Sequence, residues 1–449
     1  MKKIKYILYI TLAICIVYAC KKDGADDGKN SDFYPRIFDN AYAFRSPSLI
    51  IAEGQSATYS GLTFSPTTNG KTKVSWKVNG QVVSNDTSFV FKPTAGGEYE
   101  IKLEANYKGQ VATRISKVLV APNTYKRKPY TNVALAYLSE NASAADIDWT
   151  TVTHAAFLGA SVIPSGTVDF TAGNTNQKLD EIVARGHING TPVLLGVTGR
   201  LSGIDGWSLW NSNDFGTALA SPTSRAAVVS ALANYVIAKK LDGIDVMLTD
   251  LNNESYAVSA ANAKTLGPFI GELKLALPAH SIVTATVTTN NMHWEYSDLS
   301  VADWINVHAF EDGLTVGPGA LRGQSSSLAY MIAAADLWVK TKGYPASKIV
   351  LGIPAFGLRY NAIDAAGNNL DWGSFDYIAY KNILGIDALA FDKEMINSSK
   401  GIYFNGVPLV SQKANYIKTN GFKGAYLWAR DYDVIGGNSL MNAIYTKLK

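Results

Sequence analysis

Two hydrophobic patterns divide this chain of 449 residues. Between residues 35 and 122, short runs in which every second residue is apolar are separated by turn residues, a pattern that predicts β-strands. Between residues 123 and 449, apolar β-rich runs alternate with helical patterns instead, which is typical of a parallel α/β fold. The strands predicted in the first region are Ser56–Tyr59, Thr72–Val78, Ser88–Lys92, Tyr99–Asn106 and Val111–Val120.

The first region has the features of an all-β sandwich domain. Asn79-Gly80 predicts a hairpin turn, and Trp76 is the expected core anchor on the apolar face of the preceding strand. The stretch FKPTAGGEYEIKLEA resembles the later strands of an immunoglobulin-like domain of the polycystic-kidney-disease repeat type, with Tyr99 at the place of a corner tyrosine. Since no carboxylates or histidines cluster here, the domain is interpreted as a spacer, with glycan binding as the alternative.

Eight apolar runs in the second region predict eight parallel strands joined by helices. One helix is expected to begin at the Ser221-Pro222 cap, and Gly186 and Gly343 are expected to end two others. This arrangement predicts a TIM (β/α)8 barrel, in which functional residues lie at the C-terminal ends of the strands. The predicted strands are Val133–Tyr137, His154–Phe157, Val193–Val197, Gly243–Leu248, Ile282–Val287, Trp304–Phe310, Ile349–Pro354 and Gly424–Trp428.

The fourth predicted strand carries the most informative motif of the chain, LDGIDVMLTD. It resembles the signature D-x-x-D-x-D-x-E of family 18 glycoside hydrolases, the chitinases and endo-β-N-acetylglucosaminidases. Asp242 and Asp245 match that signature, whereas Met247 takes the place of the next Asp and Thr249 the place of the catalytic Glu. Since alternate side chains of a strand share one face, Asp245, Met247 and Thr249 are expected to face the barrel interior.

The missing carboxylates change the chemistry that the resemblance implies. In the family, the N-acetyl group of the substrate attacks the anomeric carbon, the Glu protonates the leaving oxygen, and the preceding Asp orients the acetamido group. A threonine hydroxyl cannot replace the general acid, a role worth roughly 10²–10⁴-fold in rate, so hydrolysis is not expected. The alternative is a relocated acid, either Asp250 redirected by a β-bulge or Glu311 on the sixth strand.

Other segments resemble the family in order along residues 132–449. In DWINVHAFED at the sixth strand, His308 takes the place of a Met, while Phe310 and Glu311 take the places of the Tyr and Asp that contact the sugar in subsite −1. KIVLGIPAFG is similar to the family's seventh strand, and Trp428 takes the place of the tryptophan that forms the floor of subsite −1. The helix before the last strand matches the family pattern S-x-K-x-x-Y at Ser411, Lys413 and Tyr416.

Ligand contacts are therefore expected at the mouth of the barrel. The resemblance implies stacking of a sugar on Trp428 and contacts from Asp245, His308, Phe310 and Glu311. Further aromatic residues fall in the segments after strands three, five and seven, and Trp372 among them is expected to bind ligand. For any single one, core packing is the alternative. These residues are Trp207, Trp210, Trp294, Tyr360, Trp372 and Tyr377.

The N-terminal residues resemble a bacterial lipoprotein signal. The stretch MKKIKYILYITLAICIVYAC combines a basic start, an apolar run too short to span a membrane, and a lipobox-like end. Residues 1–19 are expected to be removed, Cys20 to be lipidated, and the polar residues 20–34 to form a flexible tether. Plain secretion is the alternative. Since Cys15 lies in the removed segment, no disulfide is expected in the mature chain.

The composition of the chain gives no indication of nucleic-acid, metal or cofactor binding. The formal net charge is only +4 and no basic cluster is interleaved with aromatic residues, so nothing indicates nucleic-acid binding. The five histidines show no metal-ligand spacing, so neither a metal nor a cofactor is expected. The sequence predicts a non-catalytic, surface-exposed lipoprotein of the outer membrane. Its expected ligands are chitin-type oligomers or N-glycans, and its expected partners are a transporter and hydrolases of a polysaccharide-import system. The alternatives are an active endo-acting hydrolase and a pseudoenzyme that binds another protein.

Overall fold

The computed structural model of the chain divides into two compact units, residues 34–94 with 98–118 and residues 95–97 with 119–449. The predicted signal peptide, Cys20 and the predicted tether up to residue 33 lie outside the described residues. The described residues are 34–44, 48–69, 71–170, 175–204, 207–249, 251, 255–289, 291–310, 324–360, 370, 375–396 and 401–449.

The first unit is built from β-strands. Two pairs join Arg36–Asp39 to Leu62–Ser65 and Ala57–Tyr59 to Phe89–Phe91. The prediction of a β-rich region before the barrel is confirmed, and its assignment to the immunoglobulin-like class stays a prediction. A five-stranded sheet joins its strands in the order Ser48–Ala52, Gln110–Ala121, Gly97–Tyr107, Lys73–Val78 and Gln81–Ser84.

The hairpin predicted at Asn79-Gly80 is present in the first unit. Both turn residues adopt a left-handed backbone, with φ of 47° at Asn79 and 83° at Gly80, as a two-residue turn of this kind requires. Trp76 is fully buried and donates its indole N–H to the Asp86 carbonyl at 2.9 Å. Its ring lies 5.5 Å from that of Tyr59, so Trp76 anchors the core.

The second unit is a closed barrel of eight parallel strands, which confirms the predicted TIM barrel. The barrel closes because the first strand pairs with both the second and the eighth. The third strand continues to Gly199, whereas the sixth keeps only the centre of the predicted Trp304–Phe310. In chain order the barrel strands are Val133–Leu138, His154–Val162, Val193–Gly199, Gly243–Leu248, Ile282–Val287, Ile305–Val307, Ile349–Pro354 and Gly424–Trp428.

Helices and short turns connect the barrel strands. Within the described residues, no helix is both long and apolar enough to cross a bilayer. The α-helices are Thr175–Ile188, Ser212–Ala220, Pro222–Ala238, Tyr256–Ala263, Leu266–Ala276, Leu328–Asp336, Tyr380–Ile386, Val407–Thr419 and Leu440–Leu448. The short helical turns are Ala144–Asp146, Asn291–Glu295, Leu337–Thr341, Ala346–Lys348, Ala390–Asp392 and Arg430–Tyr432.

Small sheets lie outside the barrel. Val168–Asp169 pairs with the second barrel strand, and Leu201–Ile204 pairs with Trp207–Trp210. The segment after the seventh barrel strand forms an antiparallel sheet that the sequence did not predict. Its strands are Phe356–Tyr360, Phe375–Ala379, Met395–Ile396 and Ile402–Phe404.

Helix ends follow the sequence signals with one exception. Ser221 caps its helix, and Gly343 follows a helical turn with φ of 81°, both as predicted. The prediction for Gly186 is wrong, because the helix Thr175–Ile188 continues through it. A Cβ at Gly186 would lie 2.5 Å from a side-chain carbon of Val193. This glycine therefore allows the helix to approach the third barrel strand closely, and it does not end the helix.

Alternate side chains of the barrel strands form two layers, one that faces the surrounding helices and one inside the barrel. Ile244, Val246 and Leu248 of the fourth strand are fully buried in the layer that also contains the surrounding helices. The alternate residue Met247 belongs to a second layer, the interior cluster, so the predicted alternation of this strand is present. The aromatic members of the interior cluster are Tyr137, Trp304, Phe310, Phe356 and Tyr426, with Trp428 and Tyr432 packed against it.

Candidate functional site

The barrel interior is organised around Asp245 of the fourth strand. Its side chain is fully buried, and each carboxylate oxygen accepts two hydrogen bonds from other barrel strands. These bonds meet the full acceptor capacity of a carboxylate. The donors are the hydroxyls of Tyr137 (2.8 Å), Thr284 (2.6 Å) and Thr286 (2.7 Å) and the amide of Asn306 (2.8 Å).

Burial and hydrogen bonding act on the Asp245 carboxyl in opposite directions. Removal from water is the larger effect and raises the pKa of Asp245, while the surrounding donors favour its charged form. Because both oxygens are occupied, Asp245 holds the first, fifth and sixth strands in position around the fourth. Its direct contact with a sugar stays a prediction.

Sequence reasoning missed the partners of Asp245. Tyr137, Thr284, Thr286 and Asn306 all lie inside runs that were assigned to barrel strands from their apolar residues. A polar side chain within such a run needs a buried partner, because an unpaired polar group in the interior is costly. The alternating threonines of IVTATV were therefore the signal that could have identified Thr284 and Thr286.

The two motif positions after Asp245 carry no ionisable group. Met247 is 4% exposed and packs among the rings of the interior cluster. Thr249 follows the strand directly and is 7% exposed. A thioether and a hydroxyl do not exchange protons with a leaving group near neutral pH. At these two positions the fourth strand therefore offers no general acid.

Trp428 ends the eighth strand, at the place predicted for the floor of the sugar site. Its side chain is half-buried, and its ring centroid lies 5.0 Å from that of Tyr137 at an interplanar angle of 58°. Since the Tyr137 hydroxyl also binds Asp245, the indole is backed by the polar centre of the barrel. Such a half-buried, supported indole provides a flat apolar surface suited to stacking on a sugar ring.

The residues of the sixth-strand motif lie in different environments. Phe310 is 1% exposed, and its ring lies 5.9 Å from that of Phe356 within the interior cluster. His308 is half-buried; its ring lies 3.7 Å from that of Phe310, and its Nδ1 lies 3.5 Å from the Tyr426 hydroxyl. Neighbouring rings thus pack around Phe310, and its contact with a ligand stays a prediction. His308 is the more accessible of the two.

Asp242 belongs to the opposite end of the barrel, although the motif groups it with Asp245. It precedes the fourth strand, and its Oδ2 lies 3.0 Å from His187 Nε2 and accepts a bond from the Val193 N–H at 2.8 Å. The Tyr125 hydroxyl donates to its Oδ1. Burial opposes ionisation of Asp242, yet its bonds to His187 and Tyr125 lower the pKa of the carboxyl. Asp242 thus fastens the segment before the barrel to the barrel base.

The aromatic residues predicted as platforms divide by exposure. Trp294, in the turn after the fifth strand, is 58% exposed, and Tyr377, in the small sheet after the seventh strand, is 57% exposed. The Tyr377 ring lies 5.3 Å from that of Phe356, which connects it to the interior cluster. Tyr360 is buried, so the alternative of core packing holds for that residue.

Within the described part of the chain, no group of three His, Cys, Asp or Glu side chains is arranged to hold a metal ion.

Some of the predicted site residues fall in segments that the structure does not describe. Asp250, Glu311 and Trp372 lie outside the described residues, as do the side chains of Trp207 and Trp210.

The helix with the pattern S-x-K-x-x-Y supports the scaffold. Lys413 is fully buried, and its Nζ donates to the Ser326 carbonyl at 2.6 Å and to the Asn405 side-chain oxygen at 2.6 Å. Burial lowers the pKa of Lys413 to about 7. The amine therefore joins the helix Val407–Thr419 to the chain just before the helix Leu328–Asp336.

Sequence comparison places the second unit among known proteins. The profile of glycosyl hydrolases family 18 matches residues 127–433. Over 242 residues the chain is 26% identical to a chitinase-like effector from Moniliophthora roreri, an alignment that covers 49% of this chain and 56% of that protein. The chain thus spans little more than half the length of the curated relatives that it matches.

Solved structures share the barrel. A chitinase from Bacteroides thetaiotaomicron aligns with a TM-score of 0.56 and 22% identity, covering 71% of this chain and 96% of that chain. The chitinase-like agglutinin from Robinia pseudoacacia aligns with a TM-score of 0.56 and 15% identity, covering 71% of this chain and all (100%) of that chain. At these identities the likeness concerns the fold.

Proposed function

The chain belongs to glycosyl hydrolase family 18, and we propose that it is a member that binds glycans without hydrolysing them. The proposed ligands contain N-acetylglucosamine and are either chitin-type oligomers or the core of N-glycans. The observation that carries the proposal is the presence of Met247 and Thr249 at the positions to which the motif resemblance assigns the family's two carboxylates.

The chemistry of these two positions supports loss of turnover. A general acid contributes roughly 10²–10⁴-fold to such a reaction, and Thr249 cannot supply one. Met247 also removes the charge that would orient the acetamido group of the substrate. Met247 is 4% exposed and packs among the aromatic rings of the interior cluster, so an apolar side chain fills the place of that carboxylate.

The aromatic surface supports binding in the absence of an acid. Trp428 keeps a half-buried indole at the end of the eighth strand, and stacking adds about 0.5–1.5 kcal/mol beyond the buried area. Trp294 and Tyr377 are exposed in segments that follow the C-terminal ends of barrel strands, where ligands of this fold bind. An extended oligosaccharide would therefore contact several rings in succession.

The names of the relatives support both parts of the proposal. The names chitinase-like effector and chitinase-like agglutinin are consistent with a role other than hydrolysis. The name chitinase of the Bacteroides thetaiotaomicron protein is consistent with chitin-type ligands. The alternative is an active hydrolase with a relocated acid, Asp250 or Glu311, and both of these residues lie outside the described part of the chain.

The proposal includes a place in the cell. The sequence up to Cys20 supports lipidation, and the polar residues 20–34 support a tether to the outer membrane. A surface-exposed binding protein would hold a glycan for the transporter and hydrolases of a polysaccharide-import system.

Binding and turnover should be measured on one preparation of the chain from Lys21 onward. Calorimetric titration with chitin oligomers and with N-glycans is expected to show saturable binding. Incubation with a chromogenic chitobiose glycoside is expected to release no more chromophore than an enzyme-free control. Release of chromophore above that control would establish the hydrolase instead. If the protein bound none of the N-acetylglucosamine-containing glycans, a pseudoenzyme that binds another protein would be favoured.

A further inference from the structure

We infer that the N-terminal unit forms, from its own residues alone, a binding cleft for an acidic polysaccharide. A cleft of about 560 Å³ opens on its five-stranded sheet, lined by three lysines together with amide and hydroxyl side chains. An adjoining cleft of about 440 Å³ shares Lys73 and Asn85 and adds three threonine side chains. The main lining residues are Lys71, Lys73, Ser75, Asn85, Asn106 and Lys108.

Strand pairing explains why these side chains meet. The strand Lys73–Val78 buries Trp76 on one face, so alternation directs Lys73, Ser75 and Lys77 to the other. Directly opposite side chains of antiparallel strands have Cβ atoms about 4.5–5.5 Å apart. The opposed pairs on this face are Lys73 with Asn106, Ser75 with Glu104, and Lys77 with Lys102.

The charge of the residues that line the two clefts is predominantly positive. Glu104 is the only carboxylate among the lining residues of both clefts, and Lys77 and Lys102 bind its two oxygens at 2.7 Å and 2.8 Å. Their hydrogen bonds lower the pKa of Glu104. No acidic side chain of the described residues forms an ion pair with the lining lysines 71, 73 and 108. Lysines 71, 73 and 108 therefore present positive charge to the cleft without an ion pair to any described carboxylate.

The chemistry of the lining selects the class of ligand. Ammonium groups bind sulfate and carboxylate groups as point charges, and the amides and hydroxyls between them suit the hydroxyl groups of sugars. The clefts are open and adjoin each other, which fits an extended polymer. Val74 is the only apolar residue of the lining, so these clefts do not provide side chains that insert into a bilayer. A sulfated or uronic-acid polysaccharide fits these features. The inference does not depend on the ligand of the barrel, which is proposed to be neutral.

Affinity electrophoresis of the chain from Lys21 onward tests the cleft. Gels would contain chondroitin sulfate, polygalacturonate or neutral dextran. Chondroitin sulfate and polygalacturonate are expected to retard the protein, whereas dextran is expected to have no effect. The retardation should weaken with added salt, because salt screens the charges. The triple variant Lys71→Gln, Lys73→Gln and Lys108→Gln should lose at least fivefold in affinity for the acidic polymers. The corresponding Lys→Arg variant should keep it.

A second triple variant controls for net charge. Arg36→Gln, Lys92→Gln and Lys117→Gln remove the same charge from exposed residues of the same unit that do not line the cleft. This variant should be retarded like the unmodified protein, and thermal unfolding should show that both triples stay folded. Equal loss in the two triples would overturn the inference in favour of unspecific charge attraction. Binding to vesicles of anionic phospholipid, without retardation by either acidic polymer, would overturn it in favour of a membrane surface.

Discussion

The Tyr137 hydroxyl donates a 2.8 Å hydrogen bond to Asp245, and the ring that carries it lies 5.0 Å from the Trp428 indole. Tyr137 and Trp428 are also register neighbours in adjacent barrel strands. One residue thus connects the buried carboxylate to the aromatic surface proposed to receive the sugar. A substitution that moves the Tyr137 ring should consequently change the position of the Trp428 indole.

Tyr137→Phe should destabilise the protein while keeping the ring. The variant removes one of four donors to a buried carboxylate, and a hydrogen bond to a charged group is worth about 1.5–3 kcal/mol. Urea unfolding should show a loss of that size. Tyr426→Phe is the matched control, since its hydroxyl lies 3.5 Å from His308 Nδ1 and is not one of the four donors to Asp245. Equal losses in the two variants would contradict a special role for the bond to Asp245.

Restoring the motif should be needed in full to recover catalysis. Met247→Asp together with Thr249→Glu rebuilds both carboxylates on the inward face of the fourth strand, and weak turnover of a chromogenic chitobiose glycoside is expected. Either substitution alone should give none, because orientation and proton donation are both required. Turnover by the unmodified protein, abolished in Asp250→Ala, would show that the acid has moved.

Trp428→Ala should separate binding from stability. Affinity for N-acetylglucosamine-containing glycans is expected to fall roughly tenfold, which corresponds to about 1.4 kcal/mol and lies within the range for aromatic stacking. The melting temperature should change little, because the indole is only half-buried. A loss of roughly 3–5 kcal/mol in stability would instead identify Trp428 as a core residue of the barrel. Calorimetric titration and thermal unfolding on one preparation measure both effects.

Undiminished affinity in a folded Trp428→Ala protein would place the ligand elsewhere. The exposed rings of Trp294 and Tyr377 are then the surfaces to test, since each follows a barrel strand at its C-terminal end. Trp294→Ala is the more informative single variant, because its ring is not part of the interior cluster.

How far the sequence determines this site can be judged from particular residues. The barrel strands were predictable because a strand buried on both faces is a continuous apolar run, as in VLLGV and KIVLGIP. The hydrogen-bond partners of the Asp245 carboxylate were not predictable, because the four donors come from three other strands and are distant in the chain. Asp242 was grouped with the site by spacing alone, although alternation places it off the inward face. Only the fold brings Tyr125 and His187 to it.

His154 should make the protein sensitive to acid. It is fully buried at the start of the second strand, and burial, followed by the charge of Arg127, lowers its pKa to about 3. In the unfolded chain, the pKa of a histidine is about 6.5. Between these values the unfolded chain binds more protons, so stability should fall by roughly 1.4 kcal/mol for each pH unit below about 6.

The variant His154→Leu isolates this contribution. The difference in unfolding free energy between the wild type and the variant should shift by roughly 2–3 kcal/mol in favour of the variant between pH 6.5 and pH 4.5. His280→Leu, at an exposed position, controls for the loss of an imidazole. Parallel pH profiles of wild type and His154→Leu would show that His154 does not stay neutral in the folded state.

Anchoring can be tested through Cys20. If this residue is lipidated, the wild-type protein should partition into the detergent phase, and Cys20→Ala should become soluble and slower to mature. A lipid chain contributes about 0.8 kcal/mol for each buried CH₂, so the two forms should separate clearly. Identical fractionation of the two proteins would contradict the lipoprotein assignment, and Cys15→Ala is the matched control within the signal segment.

The clearances around two glycines show where the barrel interior leaves no room for a side chain. A Cβ at Gly196 would lie 2.6 Å from the Tyr137 hydroxyl oxygen, and one at Gly352 would lie 2.7 Å from the Phe310 ring. Neither glycine can be exchanged without displacing a ring, whereas Met247 shows that a motif position can change and the barrel still close. The barrel interior is therefore rigid where a ring faces a glycine and tolerant at position 247. New binding specificities can be engineered at the tolerant position without disturbing the packing of the aromatic rings.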